Sequence, residues 1–187
     1  MGNLRSIERA FHHLGAECRI DRDLLGADRL VVPGVGAFGA AMDRLEPMVS
    51  EIVNYARRGN PILGICLGQQ LFFEVGEEHG ERNGLGLVPG RVRYLPASCE
   101  LKVPHIGWNQ VRFLDPDLGS ELAPQEQFYF VHSLYVDCSD DKDVAATSEY
   151  GMTFPAAVRR GNLWGTQFHP EKSGNAGLQI LKNFLKC

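Results

Sequence analysis

The sequence predicts an α/β fold in which an open, mostly parallel sheet is flanked by helices and carries antiparallel additions in its second half. Three observations support this prediction. Strand-like and helix-like segments alternate in the first half, strand-like segments follow one another in the second half, and the 187 residues contain no linker long enough to separate two domains. We therefore expect a single domain that covers residues 1–187.

The first half of the chain is expected to begin with a helix and to continue with alternating strands and helices. Apolar residues at helical spacing, between a polar N-cap and a glycine stop, predict the first helix: Asn3, Leu4, Ile7, Phe11, Leu14 and Gly15. Later segments are strands at 18–20 and 29–32, a helix at 38–58 that Pro47 interrupts, a strand into Cys66 and a helix through Phe73. Because such sheets usually open with a buried strand, we expect the first strand to be missing from this sequence.

The second half of the chain changes character. Segments that resemble strands, separated by turn residues, occur at 88–95, 103–113, 127–136, 144–149, 156–159 and 163–168. They predict the antiparallel additions to the sheet. A last helix at about Ser173–Leu185 carries leucines on one face.

Composition and charge exclude several classes of function. The formal net charge is -4 and no block of five Lys or Arg residues occurs, so the chain lacks the electrostatic footprint of a nucleic-acid-binding protein. No apolar run approaches the ~18 residues that a membrane span needs. The 5 cysteines are scattered without a CxxC pair, which is typical of a reducing compartment. We expect a cytoplasmic protein that binds neither nucleic acid nor membrane and holds no metal or other cofactor.

A Gly-x-Cys-x-Gly motif places Cys66 at a sharp corner between a strand and a helix. At such a corner the side chain is lifted clear of the sheet, and the backbone is so crowded that only glycine fits beside it. The positive end of the following helix and a nearby imidazole favour a thiolate. A cysteine in an apolar stretch is most often only a core residue. The flanking Gly64 and Gly68 favour a nucleophile instead.

His169-Pro170-Glu171 follows a strand about a hundred residues later. Alone this motif is weak evidence, because the proline can end a strand and the glutamate can cap a helix. Parallel strands, however, bring the loops at their carboxyl ends together, so we expect His169 to lie near Cys66. His169 would then act as base and later as acid, and Glu171 would fix its tautomer.

Pro33-Gly34-Val35-Gly36 follows another strand at the same edge of the sheet. The segment is either a turn and nothing more, or a loop whose backbone N–H groups hold an oxyanion. In the second case the N–H of Leu67 would be the other donor.

These motifs resemble those of class I glutamine amidotransferases, whose triad is cysteine, histidine and glutamate. More narrowly, the chain resembles the glutaminase subunits of imidazole glycerol phosphate synthase, and the similarity runs from Met1 to the C-terminus. Four stretches carry it together with the cysteine motif: Pro33–Gly39, Val103–Asn109, Tyr129–Ser133 and His169–Gly174. The sequence departs from this pattern in two places. The family normally opens with about ten more residues that form a first strand, and Leu134 stands where tyrosine is common.

The resemblance implies a role for each matching position. Cys66, His169 and Glu171 match the triad. Positions that match the remaining site are the oxyanion hole at Val35, Gly36 and Leu67, the glutamine pocket at Gly34, Gln70, His132 and Ser133, and the partner interface at Asn3, Trp108 and Lys172. The expected reaction is hydrolysis of glutamine through a glutamyl thioester. The ammonia would pass to a (β/α)8-barrel synthase subunit in a heterodimer.

Two other functions remain open at this stage. One is a stand-alone cysteine hydrolase that acts on glutamyl or peptide bonds and needs an open substrate groove. The other is a non-catalytic partner or regulatory subunit on the same fold. The intact triad argues against the regulatory subunit, and the missing first strand argues for it.

Overall fold

The computed structural model describes residues 2–21, 23–96 and 101–187 and, for residues 2 and 3, the backbone alone. The helices are α1 (Gly2–His13), α2 (Phe38–Leu45), α3 (Val49–Arg57), α4 (Leu67–Gln70) and α5 (Gly174–Lys186). The strands are β1 (Leu30–Gly34), β2 (Ile62–Cys66), β3 (Phe73–Gly76), β4 (Arg82–Asn83), β5 (Val88–Tyr94), β6 (His105–Phe113), β7 (Gln125–His132), β8 (Leu134–Cys138), β9 (Val144–Glu149), β10 (Thr153–Arg160) and β11 (Leu163–Thr166).

A seven-stranded sheet with the order β1-β2-β11-β10-β9-β6-β7 runs through the molecule. Strands β1, β2 and β11 are parallel, and the sheet continues from β11 to β7 in antiparallel fashion. A second sheet of four strands has the order β4-β3-β5-β8. The predicted α/β fold, with a parallel part and antiparallel additions from the second half, is confirmed.

Apolar side chains fill both faces of the large sheet. On one face, α1 and α5 pack against it through a cluster that includes Phe11, Trp164, Phe168 and Phe184. On the other face, α2, α3 and the small sheet pack through a second cluster that includes Phe38. Burial on both faces explains why all five residues of β2 are buried and apolar or glycine.

Most of the predicted elements are confirmed. The predicted helix at 38–58 is interrupted at Pro47, as expected. A 3-10 turn at Glu46–Met48 separates α2 from α3 there. The last helix and the strands in the second half lie within a few residues of their predicted bounds. The described residues contribute no strand before β1, which therefore lies at the edge of the large sheet. No helix among the described residues has the length and apolar character that a membrane crossing demands.

Three predictions of secondary structure are wrong. Residues 18–20 form no strand, because the described part of the chain offers their backbone no neighbouring strand to pair with. The predicted strand at 127–136 is two strands, since β7 ends at His132 and β8 joins the other sheet. The helix after Cys66 ends at Gln70, and Phe73 instead begins β3, where aromatic and β-branched residues pair well.

Candidate active site

Cys66 lies at the carboxyl end of β2, where the chain turns directly into α4. Its backbone has φ 55° and ψ -110°, a region that L-residues rarely adopt. The turn is so tight that a Cβ atom at Gly68 would overlap the carbonyl oxygen of Val32. A Cβ at Gly64 would lie 2.6 Å from the carbonyl oxygen of Gly68. Both glycines of the motif are therefore required, because neighbouring backbone atoms lie too close to leave room for a Cβ atom at either position.

His169 follows β11, and a 3-10 turn formed by Pro170–Lys172 begins immediately after it. The Nδ1 atom of His169 lies 2.8 Å from Oε1 of Glu171, and neither side chain is exposed to water. Because the carboxylate accepts the Nδ1 proton, Nε2 is left to face the sulfur. The imidazole is also close enough to Cys66 for the sulfur to raise its pKa. The structure thus brings together the three residues that the sequence predicts as a triad.

Two opposing effects set the pKa of His169. Burial is the largest and lowers this pKa, because it disfavours the imidazolium. The hydrogen bonds and negative charges of Cys66 and Glu171 together outweigh burial and raise the pKa from 6.5 to about 9. The site is therefore built to keep a proton on His169 when Cys66 is a thiolate.

Backbone and hydroxyl contacts hold the loop that carries His169. The N–H of His169 donates to the carbonyl of Tyr129 at 2.9 Å. The buried Ser173 hydroxyl donates to the carbonyl of His169 at 2.7 Å and accepts from the N–H of Tyr129 at 3.0 Å. Ser173 lies within one of the four similar stretches, but nothing in the sequence alone indicates this role.

The Cys66 sulfur has two further polar neighbours. The carbonyl oxygen of Val131 lies 3.8 Å from Sγ and can accept a hydrogen bond from the thiol. The side-chain amide nitrogen of Gln167 lies 3.7 Å from Sγ and donates to it. Gln167 is fully buried and was not predicted from the sequence. The available signal was a polar residue at the end of a buried apolar run, two positions before His169.

The predicted oxyanion loop lies beside the sulfur. Gly34 is paired with Cys66 in the parallel register of β1 and β2, so Val35 and Gly36 follow directly next to the cysteine. A Cβ atom at Gly34 would lie 2.7 Å from Cβ of Leu67, which shows how closely the two predicted donor segments approach. Val35 is 61% exposed, and Gly36 has φ 105°, a conformation that favours glycine.

The residues predicted to hold glutamine differ in how their side chains are used. Gln70 Nε2 donates to the carbonyl of Leu134 at 3.1 Å and to Oε1 of Gln167 at 3.0 Å. Both ring nitrogens of His132 are hydrogen-bonded inside the protein, Nδ1 to the carbonyl of Leu134 at 2.8 Å and Nε2 to Nδ1 of His105 at 3.0 Å. Burial lowers the pKa of His132 to about 4, so its ring is neutral.

Two of the predicted partner residues meet on the surface around Tyr129. Trp108 is 58% exposed and its ring lies 6.2 Å from that of Tyr129, centroid to centroid. The ammonium group of Lys172 lies 5.5 Å from the centre of the Tyr129 ring. Asn3 lies in the first turn of α1, and its side chain is outside the described part of the structure.

Comparisons with known proteins show the family of the chain. A family model described as glutamine amidotransferase class-I matches residues 2–187. The imidazole glycerol phosphate synthase subunit HisH of Desulfitobacterium hafniense (strain DSM 10664 / DCB-2) is 49% identical over 191 residues, which cover 99% of this chain and 90% of that protein. HisH of Methanosarcina barkeri (strain Fusaro / DSM 804) is 48% identical, with coverage of 99% and 94%.

Solved structures share the fold at lower sequence identity. A crystal structure of a glutamine amidotransferase has a TM-score of 0.75 and 20% identity, and the match covers 98% of this chain and 94% of that one. PurLQS from Thermotoga maritima has a TM-score of 0.74 and 19% identity, with coverage of 97% and 91%. The fold, the extent of the family match and the identity to these relatives lead to one conclusion. The chain belongs to the class I glutamine amidotransferases and, within them, to the HisH subunits of imidazole glycerol phosphate synthase.

Proposed function

We propose that this chain hydrolyses glutamine to glutamate and ammonia through Cys66, His169 and Glu171. It passes the ammonia to the synthase subunit that makes imidazole glycerol phosphate in histidine biosynthesis. The observation that carries the proposal is the buried arrangement in which His169 contacts the strained Cys66 on one side and Glu171, at 2.8 Å, on the other. A nucleophile, a base and an orienting carboxylate in this order are the parts that acyl transfer needs.

The reaction proceeds in two halves. The Cys66 thiolate attacks the carboxamide carbon of glutamine, and His169 gives its proton to the nitrogen as the C–N bond breaks and ammonia leaves. His169 then takes a proton from water, the hydroxide attacks the glutamyl thioester, and the thiolate departs with release of glutamate. The raised pKa of His169 suits its first task, because the imidazolium must be populated when ammonia leaves.

The oxyanion that forms in each half is held by backbone N–H groups of Val35, Gly36 and Leu67, which lie next to the nucleophile in the β1–β2 register. Gly34 leaves room for the substrate, and the Oε1 atom of Gln70 offers an acceptor for its ammonium group. His132 and Ser133 contribute through their backbone, because both ring nitrogens of His132 are already hydrogen-bonded.

The partner surface of this proposal is the exposed face of β6 and the residues around it. Ile106 and Trp108 are 60% and 58% exposed and lie on the same face of β6, because they are two residues apart in a strand. Their partners on β7 are Val131 and Tyr129. Apolar and aromatic side chains of this kind are typical of an interface. Together with Lys172 and α1, they form the face that meets the (β/α)8 barrel in a heterodimer.

Release of glutamate and ammonia, measured with and without the synthase subunit and its nucleotide ligand, tests the proposal. We expect slow hydrolysis by the isolated chain and a rise by orders of magnitude, mainly in kcat, when the complex is loaded. A glutamine-like electrophile should label Cys66. Full activity of the isolated chain, with turnover of peptides, would instead indicate a stand-alone hydrolase. Absence of labelling and of turnover in the loaded complex would indicate a non-catalytic subunit.

A further inference from the structure

A buried chain of side-chain amides leads to the nucleophile. Gln70 and Gln167 are 4% and 0% exposed. Gln70 Nε2 lies 3.0 Å from Gln167 Oε1, and Gln167 Nε2 lies 3.7 Å from the Cys66 sulfur. The backbone N–H of Gln167 donates to the carbonyl of Ala156 at 2.8 Å, which fixes the position from which this side chain extends.

The direction of every hydrogen bond in this chain follows from one backbone carbonyl. The Leu134 oxygen, 3.1 Å from Gln70, can only accept, so the Gln70 atom that faces it must be the amide nitrogen. The second hydrogen of that nitrogen points at Gln167, whose facing atom must therefore be the oxygen. The amide nitrogen of Gln167 is then the atom that faces the sulfur, and it can only donate.

A donor fixed at this place distinguishes the two protonation states of Cys66. The thiol has an acceptor of its own in the carbonyl of Val131, 3.8 Å from the sulfur. The thiolate cannot use that carbonyl, but it gains a hydrogen bond from Gln167. In a site shielded from water, a fixed donor to a charged atom has a larger effect than in solvent.

We propose that Gln167 is a further catalytic residue, whose side-chain amide stabilises the Cys66 thiolate through an N–H···S hydrogen bond. Gln70 acts as its positioning residue by holding the amide in the donating orientation. This inference rests on the proposed role of Cys66 as the nucleophile. It adds a donor to the triad without requiring any change in the roles of His169 and Glu171.

The test measures the thiolate directly and needs neither glutamine nor the synthase subunit. The rate at which iodoacetamide alkylates Cys66 is measured as a function of pH, by mass spectrometry of the peptide that contains this cysteine. In Gln167→Met, which keeps the length of the side chain and removes the donor, the midpoint of this curve should move up by about one pH unit. That shift corresponds to about tenfold slower alkylation at pH values well below the midpoint. Gln70→Met should move the midpoint in the same direction by a smaller amount.

Gln69→Met is the matched control. Gln69 is as buried as Gln167, but its amide atoms make no hydrogen bond to any described residue. Its substitution should leave the alkylation midpoint unchanged. An unchanged midpoint in a folded Gln167→Met variant would overturn the proposal, and so would an equal shift in Gln69→Met. If Gln167→Met does not fold, Gln70→Met decides by the same criterion. Alkylation reports on the thiolate even in a chain that hydrolyses no glutamine, so this outcome is separate from the proposed function.

Discussion

Glu171 accepts the Nδ1 proton of His169 at 2.8 Å although neither side chain is exposed to water. A carboxylate without solvent screening acts strongly on its neighbour, and it fixes which imidazole nitrogen carries the proton. The other nitrogen is therefore always the one presented to Cys66. In the proposed mechanism Glu171 orients and charges the base, and this predicts a graded effect of substitutions in the triad.

Substitution of the triad should lower glutamine hydrolysis in a defined order. Cys66→Ala should abolish it and His169→Ala should nearly do so, because each removes a group that touches the reacting atoms. Glu171→Gln should have a milder effect, since an amide still orients the imidazole to some degree. The measurement is kcat for glutamate release in the complex, with thermal melting to show that each variant folds.

The remaining cysteines serve as controls for this series. Cys18, Cys138 and Cys187 are free thiols outside the triad, and each replaced by serine should leave turnover largely intact. The prediction for Cys99, which lies outside the described residues, is the same. Near wild-type release of ammonia by Cys66→Ala would contradict the mechanism.

The pKa of His169 should fall when Cys66 is replaced by alanine. Burial lowers this pKa, and the contacts with Cys66 and Glu171 raise it to about 9. Cys66→Ala removes one of the two raising contacts and leaves the burial in place. NMR titration of the imidazole should show the drop, and an unchanged pKa in the variant would mean that Glu171 alone sets the charge of the base.

Acid should weaken the fold in part through His132. Burial lowers its pKa from 6.5 in the unfolded chain to about 4. Between pH 4 and pH 6.5, therefore, this histidine is protonated in the unfolded chain and neutral in the folded chain. The stabilisation is present above pH 6.5 and is lost as the pH falls towards 4. His132 should contribute on the order of 3 kcal/mol to this loss. Burial also lowers the pKa of the neighbouring His105, which adds to the effect.

Urea unfolding at pH 7.5 and pH 5 measures about 2 kcal/mol of this loss, because pH 5 still lies above the folded-state pKa of about 4. His132→Gln should show a smaller drop in the free energy of unfolding between the two pH values than the wild type. The exposed His13→Gln should show the same drop as the wild type. An equal drop in His132→Gln would assign the acid sensitivity to other groups.

Binding of the synthase subunit should depend on the surface around Tyr129. Trp108→Ala should weaken the affinity by roughly tenfold or more, because exposed aromatic side chains are frequent hot spots of interfaces. Lys172→Ala should weaken association or the coupling of the two activities and leave the chemistry of the triad intact. Calorimetry of the complex gives the affinities. Leu114→Ala, at an equally exposed apolar residue beyond the end of β6, should leave them unchanged.

Arg159 should contribute measurably to stability. Its Nη1 atom lies 3.0 Å from both carboxylate oxygens of Asp115, and its guanidinium carbon lies 4.8 Å from the centre of the Trp164 ring. Arg159→Ala should lower the free energy of unfolding by about 1–2 kcal/mol. Arg93→Ala, which removes a more exposed pair with Asp137 at 3.2 Å, should cost less than about 1 kcal/mol. Urea titration measures the free energy of unfolding of both variants. Equal losses of this free energy would contradict the role of burial.

Sequence alone predicted that Cys66, His169 and Glu171 lie together, because the signals for this arrangement are local and steric. The glycines around Cys66 are required by the turn itself, and the carboxyl ends of β2 and β11 bring His169 to it. Sequence predicted the pairing of strands less well, because it depends on residues that are distant in the chain. Nothing in residues 127–136 shows that the chain passes from one sheet to the other at Ser133. Nothing in residues 18–20 shows that the described part of the chain offers them no partner strand.

Sequence does not show how a side chain with several chemically equivalent uses is employed. Gln70 and His132 as residues that hold glutamine stay a prediction, and the structure adds that the amide nitrogen of Gln70 and both ring nitrogens of His132 are hydrogen-bonded within the protein. Gln167 was not predicted at all. Which of its two amide atoms faces the sulfur depends on a carbonyl 33 positions away in the chain, at Leu134.

The backbone of Cys66, with φ 55° and ψ -110°, has a consequence for attempts to engineer this chain. Glycine adopts such a conformation at little cost, whereas any residue with a Cβ atom is strained by about 1–3 kcal/mol. Cys66→Gly is therefore a change that relieves strain and removes the nucleophile together. A library screened for thermal stability alone would enrich inactive chains at this position, so a screen has to select for turnover as well.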